Sequence, residues 1–167
     1  MDIHLKSLKD KIKSYINRNK EIDNTLHNST SDNQEEILSK EKQDNNNEIR
    51  KARTEKYEIE TLKEDTDYIK KSYQYLKKLG LVKSQHQFST YYLNKSQHYM
   101  SMILCEGRRP AVNTLYNLLQ NLNLTYDLYQ EYDKNEVVGR NLISLIERGD
   151  KILNKRILGY YRRLEGF

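Results

Sequence analysis

The segment SQHQFSTYYLNKSQHYMSMILCEGRRP, residues 84–110, contains two short helical patterns that each begin with a Ser-Gln pair. In the first pattern Ser84 occupies an N-cap position and Gln87 follows three residues later, which is the spacing of a capping box. This spacing predicts a helix that begins at Gln85. Ser89 is small enough on that helix for a second helix to cross it closely.

The second pattern follows an interruption at Asn94, one of the few residue types that enters the left-handed region at little cost. Ser96 is predicted to cap a helix over about 96–106, with an inward stripe formed by Met100, Ile103 and Leu104. The residues expected to face outward from its first turns are Gln97, His98, Ser101 and Met102.

Two short helices joined by a tight turn predict a helix-turn-helix, whose second helix lies in the major groove of DNA. The four outward residues, Gln97, His98, Ser101 and Met102, are therefore the expected base contacts. Gln suits adenine, and the Met side chain suits the methyl group of thymine. Phosphate contacts are expected from Gln85, Lys95, Ser96, Arg108 and Arg109.

This segment resembles the Xre/Cro, or lambda-repressor-like, helix-turn-helix family. Matching places are occupied by Ser84-Gln85, Phe88-Ser89, Ser96, Met100-Ser101, Ile103 and Gly107-Arg108-Arg109-Pro110. Leu79 to Ser89 also resembles a run in a group of small plasmid- and phage-borne bacterial proteins of uncharacterised function. The resemblance covers residues 67–124, and it implies a compact, all-α domain of four to five helices that binds double-stranded DNA.

Helical patterns on both sides of the segment extend this domain to residues 67–133. Gly80 is expected to stop the first helix, and Pro110 stands near the start of the fourth. A long amphipathic helix follows over 134–167, with a possible break near Gly149. Its wide apolar face either forms a homodimer or folds back over the domain, and the sequence leaves both alternatives open.

The amino-terminal part divides into three stretches by composition. Residues 1–20 carry apolar residues at helical spacing and predict an amphipathic helix. Residues 21–47 are rich in Asn, Ser, Asp, Gln and Glu and predict a disordered polar linker. Residues 48–66 predict an exposed, charged helix. We therefore expect a partly helical, partly disordered extension before the domain.

Composition excludes several classes of function. The chain has 167 residues, 29 Lys+Arg against 24 Asp+Glu, and a formal net charge of +5, which favours nucleic acid only mildly. The four histidines and the single cysteine, Cys105, show no metal-ligand spacing, and no catalytic motif occurs. No apolar run is long enough for a membrane span. We expect a cytoplasmic protein that is not an enzyme and has no cofactor, no metal and no membrane partner.

These observations predict a sequence-specific, homodimeric DNA-binding protein, a transcriptional regulator from a bacterium or a mobile element. Two alternatives remain open. One is a protein-interaction module on a helix-turn-helix scaffold, such as an inhibitor or an assembly factor, since the motif has few cations. The other is an accessory protein of plasmid transfer or partition.

Overall fold

The computed structural model describes residues 2–26, 32–132 and 135–164, and within these ranges the chain is helical and without strands. The predicted all-α fold with a long carboxy-terminal helix is confirmed. The helices are α1 (Asp2–Leu26), α2 (Asp32–Lys78), α3 (Gln85–Tyr91), α4 (Tyr99–Glu106), α5 (Val112–Tyr132) and α6 (Glu136–Leu164). None of these described helices has the combination of length and apolar character that crossing a membrane requires.

The chain divides into two units, Met1–Glu60 and Thr61–Phe167, and α2 contributes residues to both. In the first unit α1 and the first part of α2 form an antiparallel hairpin. His4 Nε2 lies 2.7 Å from Glu55 Oε1 near one end, and Arg18 Nε donates to Glu41 Oε1 at 2.8 Å towards the other. These pairs show that the first part of α2 runs antiparallel to α1.

The seam of this hairpin follows a heptad pattern. Asn19 lies in the seam, and its Nδ2 donates to Asn46 Oδ1 at 3.0 Å. The seam positions alternate between steps of three and four residues, which is the spacing of a two-stranded coiled coil with a polar layer that specifies register. They are Leu8, Ile12, Tyr15, Asn19 and Ile22 on α1, and Leu38, Lys42, Asn45, Ile49 and Ala52 on α2.

The expectation of a disordered linker over 21–47 is wrong for the residues that the structure describes. Residues 21–26 finish α1 and residues 32–47 begin α2, while residues 27–31 lie outside the described ranges. Polar composition misled the prediction, because this seam uses Asn and Lys at positions where apolar residues usually stand. The predicted charged helix over 48–66 is likewise part of the continuous α2.

The second unit has one core, to which the last turns of α2 and all of the following helices contribute. Phe88 lies at its centre, with ring centroids 5.5 Å from Tyr73 and 5.7 Å from Tyr92. The fully buried side chains around it include Tyr68, Ile69, Leu76, Leu93, Met100, Leu115, Leu118, Leu122 and Leu142. Gly80, with φ of 74°, follows the end of α2 as predicted.

α6 packs along α5 and contributes Leu142, Ile152 and Leu153 to this core. The expected break near Gly149 is absent, because Gly149 is buried and brings α6 close to Tyr68. Residues 124–132 form the second half of α5. The inner face of α6 thus covers the domain, which is one of the two alternatives that the sequence left open.

Candidate nucleic-acid interface

α3 begins where the sequence predicts. Ser84 Oγ accepts a hydrogen bond from the backbone N–H of Gln87 at 3.2 Å, so Ser84 is the N-cap. Gln87 Oε1 accepts from the backbone N–H of Lys83 at 2.7 Å, one residue earlier than a standard capping box requires. Ser84 thus satisfies a donor that the first turn leaves free, and Gln87 satisfies the N–H of the residue before the N-cap.

Ser89 joins α3 to α4. Its buried Oγ donates to the backbone carbonyl of Gln85 at 2.8 Å and accepts from the backbone N–H of Met100 at 3.1 Å. A larger side chain at this position would separate the two helices, so the small residue has the role that its position predicts. The crossing of α3 and α4 is fixed by a hydrogen bond as well as by apolar packing.

The turn between these helices reverses at Asn94, which has φ of 51° as expected for a left-handed position. α5 holds this turn in place. Asn121 Nδ2 donates to the carbonyl of Tyr92 at 3.0 Å, and Asn117 Nδ2 donates to the carbonyl of Leu93 at 3.2 Å. The role of these two amides was not predicted, although their spacing of four residues places them on one face of α5.

α4 begins later than predicted. Its first residue is Tyr99, and its N-cap, His98, makes no side-chain capping bond. Ser96 does not cap the helix through its side chain; its backbone carbonyl accepts from the N–H of Tyr99 at 3.0 Å. Residues 97 and 98 consequently belong to the turn. Leu104 is 36% exposed and does not lie in the inward stripe, whereas Met100 and Ile103 are buried as predicted.

The predicted base contacts are divided between the turn and α4. Gln97 and His98 are exposed in the turn, and their Nε2 atoms lie 3.1 Å apart. Ser101 and Met102 are half-buried on the first turn of α4. Ser101 Oγ donates to Gln85 Oε1 at 3.1 Å, so a predicted base contact and a predicted phosphate contact meet directly.

His86 belongs to the same surface, and the sequence analysis missed it. Its exposed ring meets the ring of His98 edge-on, with the centroids 5.2 Å apart. In the sequence, the feature that indicates this role is the position of His86 beside Gln85 on the first turn of α3.

The predicted phosphate contacts differ in their surroundings. Ser96 is exposed, and Lys95 Nζ lies 5.7 Å from the centroid of the Tyr99 ring. The side chain of Arg108 is 66% exposed, and its Nε lies 2.6 Å from Glu106 Oε2. Such an exposed ion pair contributes little to stability, so a phosphate group can compete for this guanidinium.

Arg109 lies in more buried surroundings than Arg108. Its side chain is only 25% exposed, it donates to Thr61 Oγ1, and its Nε lies 3.9 Å from Asp65 Oδ2. Arg156 of α6 also binds this Asp65 carboxylate, whose side chain is 1% exposed. A buried carboxylate is stabilised by neighbouring cations, and the side chain of Arg109 lies towards the interior of the unit, beside Asp65.

Burial raises the pKa of the Asp65 carboxyl to about 6, although the neighbouring charges of Arg156 and Arg109 act to lower it. This carboxyl joins α2, the loop after α4, and α6. Arg156 also donates to the carbonyl of Pro110 at 3.3 Å, which strengthens the attachment of the loop.

Among the described residues there is no group of three or more His, Cys, Asp or Glu side chains placed to hold a metal ion. Cys105 is exposed near the end of α4. The surface formed by the turn and α4 consists of amide, imidazole, hydroxyl and thioether groups. These groups form hydrogen bonds and apolar contacts, which are the interactions that read the edges of bases.

The fold and this surface define an all-α protein in which two short crossing helices, joined by a tight turn, present a polar surface. The chain belongs to a family described as "Family of unknown function (DUF6626)", whose model matches residues 69–161. The matched region includes the end of α2, α3 to α5 and most of α6. No curated protein matches the chain, and no solved structure matches it.

Proposed function

We propose that the chain is a sequence-specific double-stranded DNA-binding protein, a transcriptional regulator whose α4 and preceding turn enter the major groove. The observation that carries this proposal is the junction of α3 and α4 at Ser89, with an exposed hydrogen-bonding surface beside it. This arrangement agrees with the resemblance to the Xre/Cro helix-turn-helix. A rigid crossing of this kind holds base-reading side chains in one register.

The side chains divide into two groups by their surroundings. Gln97 and His98 are exposed and can reach base edges, while Ser101 and Met102 contribute a hydroxyl and a methyl group closer to the helix. The bond from Ser101 to Gln85 fixes the amide of Gln85 at the start of α3, and its NH2 group is the donor for a phosphate oxygen. Lys95, Ser96 and Arg108 supply the other phosphate contacts.

Few cations take part, so binding should depend only moderately on salt. With Lys95 and Arg108 as the charged contacts of each chain, the logarithm of the affinity should fall with the logarithm of salt with a slope of about −2 per chain. Fluorescence anisotropy with a labelled duplex of mixed sequence, at a series of salt concentrations, measures this slope. Duplex binding that is undetectable at low salt would contradict the proposal.

Arg108→Ala should weaken binding to every sequence alike and reduce the size of the slope by about 1 per chain. Arg140→Ala removes an exposed arginine of α6 whose Nε donates to the Glu136 carbonyl, away from this surface. The Arg140 variant is therefore the matched control and should keep the slope of the unaltered chain.

We also propose that the protein acts as a homodimer, because regulators of this kind read two half-sites about one turn of DNA apart. A plasmid transfer or partition protein would bind DNA in the same way and would differ only in its target.

A second candidate function has one observation in its favour. Arg108 and Arg109, two of the predicted phosphate contacts, both lie beside carboxylates, Glu106 and Asp65. This charge balance suits a protein-interaction module better than a strong DNA-binding surface. Retention of the chain on a DNA column, with elution by salt, discriminates between the two functions, since a protein-binding module should pass through the column.

A further inference from the structure

The outer face of the second half of α5 is apolar and exposed. Leu124, Leu128 and Tyr132 stand four residues apart, so they form one ridge along the helix. They are 60%, 57% and 78% exposed. Scattered apolar residues are normal on a surface, but a continuous ridge of this size indicates an interaction site.

This ridge is one wall of a groove. Leu81, which follows the end of α2 and is 44% exposed, lines the groove from a different part of the chain. The floor contains Tyr92 and Thr125, whose hydroxyl oxygens lie 3.1 Å apart. The lining residues are Leu81, Tyr92, Thr125, Leu128, Tyr129 and Tyr132.

Exposed residues of opposite charge stand close to the lining residues in the sequence. Lys83 is exposed and follows Leu81 by two residues, so it supplies a positive charge next to this part of the lining. Asp127 and Glu131 are exposed and precede Leu128 and Tyr132 by one residue, which places them on the next ridge of α5, away from the core. The surface therefore combines an apolar groove with a positive charge at Lys83, the basic edge, and negative charges at Asp127 and Glu131, the acidic edge.

We propose that this groove is the homodimer interface and that its occupant is the same groove of a second copy of the chain. A twofold axis parallel to the groove places the basic edge of each copy against the acidic edge of the other, and it buries both Leu128 ridges. A surface of this kind is complementary to itself, as an isologous interface requires. A partner with charge of a single sign would match one edge and be repelled by the other.

This inference deepens the proposed function, on which its biological purpose rests, since the dimer brings two copies of α4 to one DNA molecule. The inner face of α6 is already buried in the core of its own chain. The α5 groove, in contrast, is an exposed apolar surface with charged residues of both signs close to it.

Analytical ultracentrifugation of the full chain without DNA tests the interface. The unaltered chain should show a concentration-dependent equilibrium between monomer and dimer, and Leu128→Gln should weaken dimerisation about tenfold or more. Leu158→Gln is the matched control, because Leu158 is a leucine of α6 with nearly the same exposure, 58%. The control should leave the equilibrium unchanged. Circular dichroism of each variant verifies that the helices are intact.

Charge reversal gives a second test, with substitutions on exposed residues that do not disturb the core. Lys83→Glu and Glu131→Lys should each weaken dimerisation. The two changes together in one chain should restore it, because the positive and negative charges have then exchanged places on both copies. A chain that is monomeric at all concentrations, a dimer insensitive to Leu128→Gln, or a double reversal without recovery would overturn the inference. None of these measurements involves DNA, so failure of the dimer is distinguishable from failure of DNA binding.

Discussion

At the residue scale, the carboxyl of Asp65 connects parts of the second unit that are distant in sequence. Arg109 approaches it from the loop after α4, and Arg156 approaches it from α6. Burial outweighs the attraction of both arginines and raises the pKa of this carboxyl to about 6. The stability of the unit should consequently depend on pH through this single group.

The direction of this pH dependence follows from the pKa of Asp65 in the folded and in the unfolded chain. The pKa is about 6 in the folded chain and near the ordinary 3.8 in the unfolded chain, so between these values the folded state holds a proton that the unfolded state has released. The contribution of Asp65 to the free energy of unfolding is therefore largest below about pH 4 and falls by about 3 kcal/mol as the pH rises through 6.

Asp65→Asn removes this titration. Chemical denaturation should show the free energy of unfolding of the unaltered chain, minus that of the variant, decreasing between pH 3 and pH 7 by about 3 kcal/mol. Asp67→Asn, at an exposed neighbouring position, is the control for loss of a carboxylate. A difference that stays constant or rises over this range would show that Asp65 does not titrate as described.

Gln97 gives the residue-scale test of base recognition. It is exposed in the turn before α4, and its amide can bond adenine in the major groove. Gln97→Ala should relax specificity at one base position, at a cost of about 1–3 kcal/mol for the preferred sequence, with little change in binding to mixed sequences. Competition between the preferred duplex and single-base variants measures this. Equal losses for all sequences would assign Gln97 to a phosphate.

Residues with local roles could be predicted from the sequence, and residues with distant partners could not. Ser84 and Asn94 act within a few positions of themselves, one as a cap and the other as a left-handed turn residue, and the structure has both as expected. The role of Arg109 depends on Asp65, which lies on another helix. No local pattern shows that a buried carboxylate will stand beside a loop arginine.

At the element scale, the packing of α6 depends on its close approach to α2. A Cβ atom at Gly149 would lie 2.2 Å from Tyr68 Oη, 2.8 Å from Tyr68 Cζ and 3.0 Å from Leu119 Cδ1. A glycine in a helix usually costs stability, and here the absence of a side chain allows two helices to meet. The sequence of α6 alone predicts a possible break at this glycine, because the residues that pack against it lie on other helices.

Gly149→Ala should therefore destabilise the unit by about 1–3 kcal/mol through overpacking, in spite of the better helix propensity of alanine. Gly139→Ala, in the same helix, is the control. Its Cβ would meet only the end of the Gln130 side chain at 2.8 Å and Tyr126 Cε2 at 3.8 Å, so this change should stabilise α6 by about 0.5–1 kcal/mol.

Denaturant unfolding of both glycine variants measures the difference. Tyr68→Phe removes the atom closest to the new methyl group and should reduce the cost of Gly149→Ala when the two changes are combined. Equal effects of alanine at residues 139 and 149 would contradict the packing described for α6.

Elements with apolar periodicity were predictable, and the hairpin was not. α3, α4 and the first half of α5 have buried residues at the expected spacing. The seam between α1 and α2 instead contains Asn19, Asn45 and Lys42. The spacing of its positions is that of packed helices, but its polar residue types are typical of a linker. Polar heptads of this kind become evident only when a second helix with matching spacing is placed beside the first.

At the scale of the whole molecule, the family match begins at residue 69 and leaves the coiled-coil hairpin outside it. The second unit contains the α3–α4 junction, the Asp65 cluster and the α5 groove, and every element of the proposed function lies there. The hairpin has its own seam and its own ion pairs. Two short helices lie where the sequence predicts them, whereas the described part of the predicted linker over 21–47 is helical.

The central claim is that the surface formed by α4 and its preceding turn reads a DNA sequence. Selection of bound molecules from a pool of random duplexes, using the full chain at low salt, tests this claim most directly. The account predicts an enriched motif with two inverted half-sites whose centres lie about 10 base pairs apart, as a symmetric dimer requires. Recovery of duplexes without any enriched sequence would contradict it.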